Sequence, residues 1–155
     1  MHMTYRAVRT LLVAVVIVGL AVDAWVHLSL ASNYDGMRST LLSEGDLFRT
    51  EGAAAILSAA LLLARPRRYV AALALVVAAG GLAAVLVYTY VDVGAFGPFP
   101  DMYEPAWYAK KSQSAWGEGA AAFSAMTLVV LSLLPVGRSA QRLAPIVRST
   151  RKHHE

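Results

Sequence analysis

Four blocks of apolar residues dominate the chain, each close to the roughly 20 residues that a helix needs to cross a bilayer. They run from about Ala7 to Ala31, Asp46 to Ala64, Tyr69 to Val91 and Ser114 to Pro135. Within each block the apolar residues are nearly continuous, whereas a helix lying on a soluble core confines them to one stripe. Only the third block carries no charge. The others reach spanning length by taking in ionisable residues near one end: Asp23 and His27, Arg49 and Glu51, and Glu118. The pattern predicts an all-α polytopic membrane protein, a four-transmembrane-helix up-down bundle in a single membrane domain over residues 1–155.

Composition agrees. Of 155 residues, 57% are hydrophobic and 15% charged, against about 25% charged in an ordinary soluble domain. With no cysteine, disulfides, thiolate metal sites and iron–sulfur clusters are excluded. The net charge of +4 is not a nucleic-acid signal, because the basic residues flank apolar blocks, where they set orientation. Arg6, Arg9, Arg65, Arg67, Arg68, Arg138, Arg142, Arg148, Arg151 and Lys152 fall on one side; Arg38, Arg49, Lys110 and Lys111 fall on the other. This bias predicts cytoplasmic N and C termini. The Arg-, Ala-, Val- and Leu-rich usage points to a GC-rich bacterial genome and hence the bacterial plasma (inner) membrane. A competing reading makes the first block a signal peptide cut after Ser29-Leu30-Ala31; its length, and Asp23, Trp25 and His27 before the cut, argue for a span.

Smaller features add detail. Glu51-Gly52-Ala53-Ala54-Ala55 and Glu118-Gly119-Ala120-Ala121-Ala122 repeat a pattern in the second and fourth blocks, either as a trace of two related hairpins or by chance in an alanine-rich chain. Gly80 with Ala84, and Gly117 with Ala121, are expected to let helices approach closely. The outer segment 92–113 carries Pro98, Pro100 and Pro105 among Phe96, Phe99, Tyr103, Trp107 and Tyr108; it reads as an aromatic belt or as an ordered cap. The basic tail 137–155 suits orientation and contact with anionic membrane lipids, and its His153 and His154 read as solvated.

Depth along the helices picks out a candidate site. Asp23 lies one turn, about 6 Å, below His27 on the same face, and Glu51 and Glu118 sit about 6–7 Å below the outer ends of their helices. Tyr88 and Tyr90 close the third helix. All four helices thus bring polar groups to one shallow outer layer, and such groups belong in the bundle interior or a hydrated cavity. Asp23, His27, Glu51, Tyr88 and Glu118 are candidates for binding an ion or small ligand, with His27, Glu51 and Glu118 as metal donors suited to Zn, Fe or Mn. Haem is not expected, because one histidine lies within a span; Met37 and Met102 leave a thin copper alternative. The same residues admit acid–base or metal-assisted chemistry on an apolar substrate. They also admit a purely structural role, with Asp23, His27 and Tyr88 bonded together and Arg49 paired with Asp46. Neither the Glu-x-x-His repeat of di-iron bundles nor a His-Glu-x-x-His motif is present.

At Val26-His27-Leu28-Ser29-Leu30, Asp46-Leu47-Phe48-Arg49-Thr50-Glu51 and Gly97-Pro98-Phe99-Pro100-Asp101-Met102-Tyr103-Glu104-Pro105, the chain resembles a group of uncharacterised actinobacterial small four-helix integral membrane proteins. In outline only, it is similar to the DoxX-like four-helix class. The resemblance implies the fold and no activity. The expected function is therefore a membrane protein with an outer-facing polar pocket for an ion or small ligand, or an accessory subunit of a membrane complex or homo-oligomer. A membrane-embedded enzyme is the alternative.

Overall fold

The computed structural model describes residues 2–134; the basic tail 137–155, with His153 and His154, lies outside them. Four long helices follow one another: α1 (His2–Leu30), α2 (Glu44–Ala64), α3 (Arg68–Tyr90) and α4 (Ala109–Leu133), with a single 3-10 turn, Ala31–Tyr34, extending α1. All four are long and apolar enough to cross a membrane.

The helix ends explain where the apolar blocks start and stop. Before α2, Ser43 Oγ accepts the Asp46 amide at 3.0 Å while Asp46 Oδ2 accepts the Ser43 amide at 3.0 Å, a closed capping box. Glu44 and Asp46 then lie in the first turn, where negative charge meets the positive end of the helix dipole. Pro66 separates α2 from α3, because proline offers no amide to continue the ladder. The Arg9 guanidinium donates to the Pro66 carbonyl and ties α1 to this turn.

The helices form a ring in which α1 packs on α2 and α4, and α3 on α4 and α2, with the α2–α3 seam the least extensive. The core is built from small residues, among them Ala55, Ala71, Ala74, Ala78, Ala121 and Ala125, with Val16, Leu20, Leu62 and Leu128. Lipid supplies no hydrophobic drive between helices, so close backbone approach must hold them. The tightest approach joins α1 to α4: a Cβ placed on Gly117 would lie 2.9 Å from the Gly19 carbonyl oxygen. Large apolar side chains turn outward instead, including Leu11, Val18, Leu63, Val76, Trp116 and Phe123. No more than 39% of any span's most apolar window is buried inside the bundle, so the remaining apolar surface suits lipid.

Three expectations are corrected. First, α4 begins at Ala109 and takes in Lys110 and Lys111, five positions before Ser114. A hydropathy scan misses this turn because its charges are satisfied locally: Lys110 Nζ donates to Ser29 Oγ at 2.9 Å, and the Lys111 ammonium donates to the Glu104 and Ala106 carbonyls. Second, Gly80 has open space around it and Ala84 is exposed; neither brings helices together, and the neighbouring Gly81 is the buried one. Third, Arg49 does pair with Asp46 as expected, at 3.5 Å, but this is the weaker of two pairings: it grips Asp35 with two bonds, at 2.7 and 2.9 Å. The fork matches a carboxylate best with both nitrogens engaged, and it holds the Asp35 carboxyl below the usual range.

Candidate functional site

On α1, Asp23 and His27 are one turn apart and both buried, at 0% and 8% exposure. His27 Nδ1 lies 2.7 Å from Asp23 Oδ1 and 3.1 Å from the Asp23 carbonyl. These engage one ring nitrogen, and His27 lines a cavity, so Nε2 is the nitrogen left for whatever enters. From α4, Ser114 Oγ donates to Asp23 Oδ1 at 2.9 Å and lies 3.4 Å from Glu118 Oε1, one turn along its own helix. Glu118 is fully buried. Asp23, His27 and Glu118 each place one donor atom within 4.8 Å of the other two.

From α2 and α3 come Glu51 and Gly81. A Cβ on Gly81 would run into Glu118 Oε1 and lie 3.1 Å from Glu51 Oε1, so both glutamates reach the same point on α3, where only hydrogen leaves them room. Among the described residues, Asp23 Oδ2, Glu51 Oε1, Glu118 Oε2 and Ser58 Oγ are buried without a hydrogen-bond partner. Three of these four atoms belong to this one layer.

In front of the layer, α2 and α3 part around a cavity of about 400 Å³. His27 and Glu51 stand in its wall beside Leu47, Phe48, Val85 and Tyr88, with the exposed Thr50, Gly80 and Ala84 along the α2–α3 side. An apolar space with a few convergent polar groups is the usual form of a small-molecule site. Tyr88 faces this cavity. Tyr90 does not: it is 70% exposed, and its hydroxyl accepts from Trp107 Nε1 at 3.3 Å. The hydrogen-bond partner that Asp23 finds on another helix is Ser114, not Tyr88.

The cavity is roofed. Residues 92–108 form the ordered cap, closed on itself by the Phe96–Phe99 bridge and fixed to α3 by the Glu104 amide donating to the Tyr88 carbonyl at 2.9 Å. Ser39 Oγ donates to the Pro98 carbonyl at 2.6 Å, which links the α1–α2 and α3–α4 loops. Phe99, Met102, Glu104 and Tyr108 contribute to the roof from within. The Tyr108 and Tyr34 hydroxyls meet at 3.0 Å, and burial, with this bond second, pushes the Tyr108 phenol up, so it stays protonated.

Sequence reasoning missed Ser114, Gly81, Glu44 and Lys111 as members of this region. Ser114 carried a signal, since it precedes Glu118 by four residues. So did Gly81, because Ala74, Ala78, Gly81, Val85 and Tyr88 follow helical spacing and fix which face of α3 looks inward. Comparison with protein-family models, with curated proteins and with solved structures finds no match to this chain.

Proposed function

We propose that this protein is an integral membrane protein of the bacterial plasma membrane that binds a small, largely apolar molecule in its outer pocket. The polar end of that molecule meets His27 Nε2 and Glu51, and its apolar body lies between α2 and α3. The observation that carries this reading is the roofed cavity of about 400 Å³ with His27 and Glu51 in a mostly apolar wall. The gap lies on the seam where two lipid-facing helices pack least, which favours entry from the bilayer. The protein acts alone or as a subunit of a larger membrane complex; the pocket serves either arrangement.

A membrane-lipid extract is the probe. Protein purified in detergent should melt about 5 °C or more higher with the extract, since a ligand at a hundred times its Kd stabilises the fold by about 2.7 kcal/mol. Ala84→Trp, which fills the cavity from an exposed position, should fold and lose that response. Equal stabilisation of both proteins would remove the pocket from the account.

A second reading rests on the 2.7 Å Asp23–His27 contact, the arrangement of a carboxylate that orients a base. In this reading the bound molecule is also changed. Turnover of an extract component by the native protein, lost in Asp23→Asn while binding persists, would favour it; binding without turnover would reject it.

Orientation is tested separately. With both termini cytoplasmic, a lone cysteine at Ser39 or Ala109 should react in intact cells with a membrane-impermeant thiol reagent, and one at Pro66 should not. The native chain has no cysteine, so there is no background. Labelling at Pro66 alone would invert the topology.

A further inference from the structure

Behind the cavity, acids outnumber bases. Asp23, Glu51 and Glu118 converge with a single imidazole. The nearby cations are occupied elsewhere: the Lys111 ammonium is held by the Glu104 and Ala106 carbonyls, and Arg49 is forked onto Asp35. Buried carboxylates without counter-charge are costly in a low-dielectric layer. One oxygen of each of the three is buried with no partner, and two of the three residues, Asp23 and Glu118, are completely buried.

We propose that Asp23, His27 and Glu118 form a binding site for one divalent first-row metal ion of the Mn(II), Fe(II) or Zn(II) class. The donors are an imidazole nitrogen and two carboxylate oxygens, drawn from α1 and α4 and already within 4.8 Å of one another. Metal–donor bonds near 2.0–2.1 Å put neighbouring donors about 3.3 Å apart in a tetrahedral shell, so the three need close only modestly. With no thiolate on offer, the set suits these ions better than Cu(I). Ser114, which bridges Asp23 and Glu118, supplies the outer hydrogen bond that holds ligating carboxylates in place. The imidazole would give Nδ1 to the metal and carry its proton on Nε2, toward the cavity. Glu51, on the cavity side, adds negative charge beside the ion. This site does not rest on the pocket reading, because Asp23 and Glu118 lie behind the residues that line the cavity and leave it open.

The test is metal content. Purified protein stripped with EDTA is dialysed against Zn(II), Mn(II) or, without oxygen, Fe(II), and metal per chain is measured by mass spectrometry, with Mg(II) and Ca(II) as controls. At least one of the three should load to about one ion per chain and raise the melting temperature. His27→Ala and Glu118→Gln should load at least about tenfold less. Ala84→Trp, which blocks the pocket, should load as the native protein does, so failure of the pocket and failure of the metal site are distinguishable. If the two site variants do not fold, Co(II) added to the native protein decides: a visible ligand-field spectrum unlike that of aqueous cobalt and displaced by Zn(II) supports the site. Native protein that takes up less than about 0.1 ion per chain overturns the proposal. So do site variants that load like the native protein, and a purely aqueous cobalt spectrum; protons would then balance the cluster.

Discussion

The same substitution at two glycines is expected to act with opposite sign: Gly19→Ala should lower the melting temperature by roughly 4–10 °C, and Gly80→Ala should hold or raise it. Gly19 is buried where α1 meets α4. A methyl there would run into the Gly117 carbonyl oxygen and come within 3.0 Å of Ala121 Cβ. The obstacle is backbone, so α4 itself must shift, and overpacking of this kind costs about 1–3 kcal/mol. The shift would also move Ser114 and Glu118, which α4 carries into the polar layer. Gly80 has nothing within 4 Å of its would-be Cβ, so there the gain is up to about 1 kcal/mol of helix propensity. Tryptophan fluorescence during heating of each purified protein measures both. A Gly19→Ala protein that melts at or above the native temperature would show that the α1–α4 approach is looser than described.

These two glycines also mark what was legible in the sequence. Helix number and span limits follow from block length, because the bilayer imposes a fixed length on apolar runs. The expected spans 46–64 and 69–91 differ by one or two residues from α2 and α3, whereas α1 begins five positions before the expected Ala7. The start of α4 departs by a full turn because Lys110 and Lys111 are bound to oxygen atoms that composition cannot locate. Small residues promise close packing, but only helix phase decides which of them meet a neighbour. Gly80 and Gly81 are adjacent and face different surroundings. The polar layer was legible for a physical reason: ionisable groups within spans must turn away from lipid, and four helices leave one interior to turn to. Which groups touch was not legible. Arg49 reaches past Asp46 to Asp35 through the fold of the α1–α2 loop, and Ser114 outranks Tyr88 as partner through the rotation of α4. The cap arises from contacts between two loops far apart in sequence, such as Ser39 with Pro98, which no local pattern encodes.

The largest effect is expected at the Asp23–His27 pair. In metal-free protein, His27→Ala removes the group 2.7 Å from Asp23 Oδ1 and leaves a fully buried carboxylate facing Glu118, with Ser114 as its remaining side-chain partner. Removing one member of a buried pair costs about 3–5 kcal/mol, because the surviving charge keeps its desolvation penalty and loses its compensation. For a chain of this size that is a fall of about 10 °C or more. Adding Asp23→Asn to His27→Ala should then restore at least half of the loss. The amide is nearly the same shape as the carboxylate but carries no charge, and its NH2 group can donate toward the unpartnered Glu118 Oε2. Recovery on neutralising a second residue is not what a packing defect predicts, since the cavity left by the imidazole remains. If the double variant melts as low as His27→Ala, the penalty comes from lost volume and not from charge. If His27→Ala alone melts like the native protein, the pair contributes nothing as an ion pair. The cycle therefore reads the electrostatic state of the layer directly, without a ligand or a metal in the sample.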